Sequence, residues 1–384
     1  MTSRRHFLKG IGATSLVSFL PNLSFASTQS PNVLVWITLR GAMDGLNVVV
    51  PTFDSDYARF RPNLALEANQ LNVLEKGYAL HPALKNVYEW YQNDEAMFVQ
   101  ACATGYRNRS HFDGQKILEN GSDDPFDPEG WLNRFLTGEK TNLAIAIDSG
   151  LPLIAQGETK VSSWYPHKLK SKEEQAVILA ELFQSDEALE NHFTEAMKLE
   201  NMAGKGSQSK QFTNLMKQAG RFINSPQGPN IAILELGGWD THSAQGTTKG
   251  RLARQLSILD QGLAALKMEL GDRWQSTVVM GASEFGRTVR ENGTKGTDHG
   301  TANAMLLAGG ALSKAQVVAD WPGLAEEKQY EGRDLMPTTD VRSVIKGVLA
   351  EHYNADNTTL ERVFPNSDAV SPLTGLIQKN VQVT

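Results

Sequence analysis

Six short apolar segments recur along the chain, and stretches with helical periodicity lie between them. The apolar segments span residues 33–39, 96–103, 143–147, 231–236, 277–282 and 304–309. Strands that are apolar at nearly every position are expected where helices cover both faces of a parallel sheet. The pattern therefore predicts an α/β fold with a mostly parallel central sheet.

Two of the intervening stretches give the clearest helix predictions. Residues 251–270 carry leucines three or four positions apart, at Leu252, Leu256, Leu259, Leu263, Leu266 and Leu270. Such a stripe is expected to pack on the sheet, and a groove for a partner is the less favoured alternative. Residues 338–353 begin with Thr and Asp, which suit a helix N-terminus, and are predicted to form a late helix.

Residues 157–228 form a segment of different character. Its part 168–201 is rich in lysine and glutamate, and 203–211 reads AGKGSQSKQ, a short flexible linker. We interpret 157–228 as a helical insertion in one domain that covers residues 27–384, with a cap over the sheet as one arrangement.

The first 26 residues have the features of an export signal. Arg4 and Arg5 are followed by Phe-Leu-Lys, then by a weakly apolar run over 10–20 and by small residues up to Ala26. The run is too short to cross a bilayer, and the paired arginines resemble the twin-arginine signal of proteins that are exported folded. We expect a periplasmic or secreted protein without a membrane span. The alternative is an ordinary disordered terminus.

Charge and cysteine content narrow the function classes. Without the three basic residues of the signal, the 37 lysines and arginines become 34 against 43 acidic residues, a formal charge of −9. Such a surface does not suit nucleic acid or anionic lipid as the principal partner. Cys102 is the one cysteine, so no internal disulfide forms, and its apolar surroundings favour a buried strand residue over a reactive thiol.

Polar clusters follow the predicted strands, where the catalytic side chains of open α/β sheets gather. The candidates are Asp44 after 33–39, Ser110, His111 and Asp113 after 96–103, Asp240 and His242 after 231–236, Glu284 and Arg287 after 277–282, and Asp298 and His299 in the glycine-containing stretch 296–303. Each alone could be a helix cap or a hydrogen-bonded structural residue. Together they predict a divalent metal ion, with oxygen and imidazole ligands that suit Zn²⁺, Mn²⁺ or Fe, or Mg²⁺ or Ca²⁺ with more carboxylates.

Several motifs carry a family resemblance. RGAMDGLNVVVP, LHPAL, RSHFDGQ, GGWDTHSAQ, SEFGRT, GTDHG and a late VFP together resemble DUF1501, a group of exported bacterial proteins of undefined function, over residues 33–366. That family is similar to the alkaline phosphatase and sulfatase superfamily. The resemblance implies a three-layer sandwich, alkaline-phosphatase-like, with a two-metal site at the strand ends.

The resemblance also implies roles for individual residues. Ser110 takes the place of the nucleophile, and Arg107, Arg109 and Arg287 would hold anionic oxygens. The ligands of one metal are matched by Asp240, His242 and His299, with Asp298 as a partner that orients His299 or as a turn cap.

The second metal position departs from the superfamily pattern. Arg40-Gly41 stands where an Asp-Gly pair is usual, so the nearest carboxylate is that of Asp44. Glu284-Phe285 replaces an Asp-His pair. Asp44 and Glu284 are the candidate ligands here, and phosphomonoesterase activity is expected to be weak if only one ion binds.

Two functions follow as hypotheses. The first is a metal-dependent hydrolase or transferase acting on a phosphate or sulfate ester, of a small molecule, a glycan or an envelope polymer. The alternative is a catalytically inactive protein of the same fold with a binding or assembly role in the envelope. Trp239 and Phe285 are expected to pack beside the site, with sugar stacking as the alternative. No role is assigned to the four remaining histidines with no convergent partners, His81, His167, His192 and His352.

Overall fold

The structure is a computed structural model that describes residues 30–137, 143–166, 179–180, 183, 187–203, 209–226 and 228–378. The predicted signal, residues 1–26, lies outside the described residues, as do His167 and most of the linker 203–211.

Twelve strands are present in the described part of the chain. They are β1 (Val33–Leu39), β2 (Val49–Pro51), β3 (Asn72–Val73), β4 (Tyr78–Leu80), β5 (Ala96–Ala103), β6 (Ala144–Ala146), β7 (Ser162–Ser163), β8 (Ile231–Leu236), β9 (Thr277–Ala282), β10 (Asn303–Ala308), β11 (Gln316–Val318) and β12 (Thr339–Asp340). Nine of them form the central sheet in the order β11-β5-β10-β9-β1-β8-β6-β7, with β12 also paired to β5, while β2, β4 and β3 form a small antiparallel sheet.

Strand β10 is the one reversed strand of the central sheet as described. It pairs antiparallel with both β5 and β9, whereas the other pairs of this sheet are parallel. In register, Leu34 of β1 lies beside Ile231 on one side and Val278 on the other. The predicted mostly parallel sheet is therefore confirmed, and the reversal brings the amino end of β10 to the edge where its neighbours end.

Ten helices accompany these strands within the described ranges. They are α1 (Gly45–Val48), α2 (Asp56–Phe60), α3 (Lys85–Gln92), α4 (His111–Asn120), α5 (Trp131–Leu136), α6 (Glu187–Ala203), α7 (Phe212–Asn224), α8 (Arg251–Leu270), α9 (Val341–Tyr353) and α10 (Asn357–Val363). Helix α8 has the predicted bounds, and α9 begins after Asp340, whose side chain accepts a hydrogen bond from the Arg342 amide as an N-cap.

Helices cover both faces of the sheet. Alternate residues of β1 belong to two separate hydrophobic clusters: Val35 packs with leucines of α8, and Trp36 packs with α5 and α9. Side chains on a strand point alternately to the two faces, so each cluster fills one of the two interfaces between sheet and helices. The predicted three-layer α/β sandwich is confirmed.

Part of the predicted insertion 157–228 belongs to one of these helical layers. Helix α7 contacts α8 along its length, and its Phe212 and Phe222 are buried in the same cluster as Val35. Whether other parts of 157–228 cap the sheet stays a prediction. Among the described residues, no helix is long and apolar enough to cross a membrane.

Cys102 lies in β5 and is buried, as predicted. Burial raises the pKa of its thiol to about 12, because the thiolate would lose its hydration. A reactive thiol at this position is therefore disfavoured at neutral pH.

Candidate metal centre

The candidate site lies where the loops after β5, β8 and β9 meet at one edge of the sheet. His111 follows the first of these loops, Asp240 and His242 lie in the second, and His299 lies in the connection from β9 to the reversed β10. Residues widely separated in sequence thus reach one place, as the resemblance implied.

Glycines allow these loops to approach closely. Gly41 has a φ of +117°, and a Cβ there would lie 2.9 Å from the Asp240 nitrogen. A Cβ on Gly296 would lie 2.3 Å from the His242 carbonyl carbon. Any larger side chain at 41 or 296 would push a ligand-bearing loop away, which explains why glycines flank these motifs.

Two imidazoles, those of His111 and His242, each approach the His299 ring. The Nε2 atom of His299 lies 2.9 Å from the Nε2 of His111 and 2.9 Å from the Nε2 of His242. The Asp240 Oδ1 lies 3.0 Å from the His242 Nε2 and 3.3 Å from the His299 Nε2. His111, Asp240 and His299 meet the spacing expected of residues that could hold a metal ion.

The other ring nitrogen of each imidazole faces a hydrogen-bond acceptor. His111 Nδ1 lies 2.6 Å from Glu284 Oε1, and His242 Nδ1 lies 3.1 Å from Asp298 Oδ1. A carboxylate accepts but does not donate, so His111 Nδ1 carries a proton, and the neutral ring presents its Nε2 lone pair to the cluster. His242 has a carboxylate oxygen at both ring nitrogens, Asp298 at Nδ1 and Asp240 at Nε2.

The third imidazole is held by main chain. His299 Nδ1 lies 3.0 Å from the carbonyl oxygen of Arg109, which also can only accept. Arg109 has a φ of 58°, in the left-handed region that non-glycine residues rarely adopt, so its carbonyl is held by an unusual backbone conformation.

The neutral tautomers of His111 and His299 therefore leave two acceptor atoms, their Nε2 nitrogens, face to face. Lone pairs at 2.9 Å repel one another unless a proton or a metal ion lies between them. Burial, with help from His111 and Arg287, lowers the pKa of His299 below its usual range, which favours the neutral, metal-binding form of that ring. The arrangement fits a cation better than it fits three uncharged imidazoles alone.

Asp240 is oriented by a buried arginine. Arg287 Nη2 donates to Asp240 Oδ1 at 2.5 Å and also faces the carbonyl oxygens of Gly41 and Trp239. The Nε and Nη1 atoms donate to the carbonyl oxygens of Ala42 and Thr297. Burial alone would raise the pKa of Asp240, but the hydrogen bond and charge of Arg287 outweigh it and lower that pKa. The carboxyl group of Asp240 is thus anionic at neutral pH.

One side of the cluster is open to solvent. The side chains of Asp240 and His242 are 43% and 45% exposed, while those of His111 and His299 are 25% exposed. On the protected side, the Phe285 ring stacks on His111 with centroids 4.9 Å apart, which confirms its predicted place beside the site. Metal sites with a free coordination position are typical of catalysis, and closed sites of structural roles.

The structure does not bring Asp44 to this cluster. Both of its oxygens accept hydrogen bonds from Arg61, at 2.7 and 2.9 Å, and one also accepts from Gln245 at 2.6 Å. Asp44 and Arg61 are both buried. The carboxylate is fully engaged in a structural ion pair, for which its position after β1 gave no signal.

Glu284 and two predicted arginines reach the site in other ways than expected. Glu284 is buried and supports His111 and the Gly41 amide, so it stands behind a ligand. The guanidinium of Arg109 binds Asp334 and Glu331, and that of Arg287 is enclosed by carbonyl groups, as described above. Arg109 contacts the cluster through its carbonyl oxygen, at His299 Nδ1.

Ser110 immediately precedes helix α4 and is half-buried. Its side chain makes no capping hydrogen bond to the helix, and its amide donates to the Tyr106 hydroxyl at 3.3 Å. The hydroxyl is therefore not needed to complete the helix N-terminus.

His111 was named as a candidate after 96–103 but was not assigned to either metal position, because the motif RSHFDGQ was interpreted as the place of a nucleophile at Ser110. The available signal was its place at the first helical position after β5, where a side chain points back over the strand end.

The fold and cluster define an α/β protein with a candidate metal centre at the edge where most of its parallel strands end. A family model described as protein of unknown function, DUF1501, matches residues 167–346. This match confirms the resemblance that the motifs predicted. No curated protein matches the chain significantly.

Several solved structures are similar to this chain at low identity. The C-terminal periplasmic domain of EcEptC from Escherichia coli, in complex with Zn, aligns with 10% identity and a TM-score of 0.38, covering 74% of each chain. Phosphonate monoester hydrolase of Agrobacterium radiobacter aligns with 10% identity and a TM-score of 0.36, covering 84% of this chain and 74% of its own. Murine ectonucleotide pyrophosphatase/phosphodiesterase 5 aligns with 12% identity and a TM-score of 0.33, covering 76% and 91%.

Proposed function

We propose that the protein is a metal-dependent hydrolase or transferase that acts on a phosphate or sulfate ester. The observation that carries the proposal is the convergence of three Nε2 atoms whose rings are each fixed, through Nδ1, by an acceptor. Metal-binding histidines are commonly held in this way by carboxylates and carbonyls. The ester class comes from the resemblance of the motifs.

The proposed ligands are His111, Asp240, His242 and His299. Three imidazoles and one carboxylate, with no thiolate, suit Zn²⁺ best and also Mn²⁺ or Fe. We propose a single ion, because the carboxylate of Asp44 is neutralised by Arg61. A bound ion would supply Lewis-acid chemistry, which polarises an ester oxygen and lowers the pKa of an oxygen nucleophile.

The chain's own residues prepare the site. Glu284 holds the proton of His111 on Nδ1, away from the cluster, and Asp298 orients the His242 ring through its Nδ1. Arg287 aims Asp240, and the solvent-exposed side of the cluster leaves room for a substrate. Ser110 is the proposed nucleophile, since it immediately precedes His111 in the chain and its hydroxyl is not used as a helix cap.

One observation favours the alternative of a metal-containing protein with a binding or assembly role. Arg109 and Arg287 were expected to hold the anionic oxygens of an ester, yet both guanidinium groups are engaged within the protein. A substrate anion would then depend on the ion and on main-chain groups.

The test measures metal content first and ester turnover second, on protein purified without chelator. Mass spectrometry should find one ion per chain in wild type and in a His81→Gln control, whose buried histidine contacts Thr247 away from the cluster. His111→Ala and His299→Ala should lose it. An ion-free wild type would overturn the proposal.

The ester screen separates the two functions. Wild type is tested on phosphate mono- and diesters and on sulfate esters, beside Ser110→Ala. Turnover that is lost in Ser110→Ala while the ion stays bound supports a hydrolase or transferase with a serine nucleophile. A bound ion without any ester turnover supports the binding role.

We also propose export by the twin-arginine route to the periplasm or beyond. The signal lies in residues 1–26, with its paired arginines at Arg4 and Arg5. Replacing both with lysine should retain the precursor inside the cell, as followed by fractionation. Unchanged export of that variant would contradict the route.

A further inference from the structure

A buried polar network joins two of the loops that carry the cluster. Gln245 is fully buried, and its Oε1 accepts hydrogen bonds from the hydroxyls of Thr241, at 2.7 Å, and Thr297, at 3.0 Å. Thr241 stands between two of the proposed ligands, and Thr297 stands two residues before a third. One amide oxygen therefore bridges both ligand loops.

The orientation of this amide is fixed from its other end. Gln245 Nε2 donates to Asp44 Oδ2 at 2.6 Å, and a carboxylate cannot offer a proton in return, so the amide cannot flip. The carboxylate of Asp44 accepts two hydrogen bonds from the guanidinium of Arg61. Arg61 is itself fixed by donating to the carbonyl oxygens of Thr288 and Val289.

The main chain repeats the connection. The backbone amide of Thr297 donates to the Thr241 carbonyl at 3.2 Å, and the backbone amide of Gln245 donates to the Lys295 carbonyl at 2.9 Å. The carbonyl of Thr288 accepts a hydrogen bond from Arg61, and its backbone amide donates to the Asp298 carbonyl at 3.0 Å. The spacing of the two ligand loops is thus determined by one connected, buried set of hydrogen bonds.

We propose that Gln245, anchored by the Asp44–Arg61 ion pair, is a positioning residue that sets the separation of the ligand loops 240–242 and 297–299. This rests on the proposed metal site. Without the amide, the two threonine hydroxyls would lose their shared acceptor in a buried place, and the loops would move to find others. The ligands would then meet an ion in altered geometry.

Co²⁺ binding to the full mature chain tests this, because the visible spectrum of Co²⁺ reports its ligand geometry. Gln245→Met keeps the side-chain length and removes the three polar contacts of the side-chain amide. The matched control is Gln100→Met, because Gln100 is equally buried and bonded to main chain, at Val49 and Ala101, outside the ligand loops. Thr297→Val, a smaller change, removes one bond to Gln245 and covers the case in which Gln245→Met fails to fold.

We expect Gln245→Met to bind Co²⁺ roughly tenfold more weakly and with a changed spectrum, as supporting residues of metal sites do. Thr297→Val should shift the spectrum in the same direction. Gln100→Met should lower the melting temperature while leaving spectrum and affinity as in wild type. Wild-type spectra and affinities in both site variants would overturn the positioning role alone. A wild type that binds no Co²⁺ would overturn the metal site as well.

Discussion

Glu284→Gln separates a residue that supports the metal from one that binds it. Glu284 Oε1 lies 2.6 Å from His111 Nδ1 and also accepts from the Gly41 amide at 2.8 Å. Glutamine has the same shape, and its carbonyl oxygen can still accept from both groups. The substitution therefore removes the negative charge behind His111, together with the acceptor that Glu284 Oε2 offers to the Ser283 hydroxyl on its far side.

The magnitude follows from that single loss. A hydrogen bond to a charged group is about twice as strong as a neutral one, and the difference is roughly 1 to 1.5 kcal/mol. Since about 1.4 kcal/mol corresponds to a factor of ten, Zn²⁺ affinity should fall about tenfold. If Glu284 were itself a ligand, as its sequence position suggested, glutamine should remove the ion almost completely.

The assay is a competition titration of Zn²⁺ against a chromophoric chelator. Glu119→Gln is the matched control, because Glu119 is also a buried glutamate that accepts hydrogen bonds, from Gln115 and from the Ile154 amide. Its Zn²⁺ affinity should equal that of wild type. Equal affinities in wild type and Glu284→Gln would refute the idea that Glu284 tunes His111.

Two further predictions concern groups away from the ligands. Asp44→Asn should lower the free energy of unfolding in urea by about 3 to 5 kcal/mol, because it leaves the buried guanidinium of Arg61 without its counter-charge; a loss below 1 kcal/mol would contradict this. Burial lowers the pKa of His352 from 6.5 to about 4. Between these pH values the unfolded chain binds a proton at this histidine and the folded chain does not, so the free energy of unfolding decreases as the pH falls. Wild type should lose about 3 kcal/mol there, and His352→Leu, followed by urea titrations at each pH, should lack this loss.

The sheet was the most predictable part of the molecule. The segments 33–39, 231–236 and 277–282 are strands with the predicted bounds, because each is mostly apolar and is followed by a glycine or a polar residue. The direction of β10 was not predictable in the same way. Its apolar run is compatible with either direction, and only its pairing with β5 and β9 decides.

The site could be predicted only in outline. His299 and Asp240 were found because they stand in short motifs that adjoin strands. The role of Asp44 was hidden, since its partner Arg61 lies in another element and the pairing depends on how that element packs. Sequence reports which side chains are near strand ends, but only the packing shows which of them are already neutralised.

The proposed ligands come from three segments that are distant along the chain, after β5, after β8 and before β10. An ion held by all of them would act as a cross-link that closes long loops, and every unfolding event that separates these segments would have to release it. Binding to the native state alone adds RT ln(1 + [metal]/Kd), about 2.7 kcal/mol when free metal is 100 times Kd. Chelation should then lower the melting temperature of the entire domain, because the stability of the whole fold depends on whether this small surface cluster is occupied.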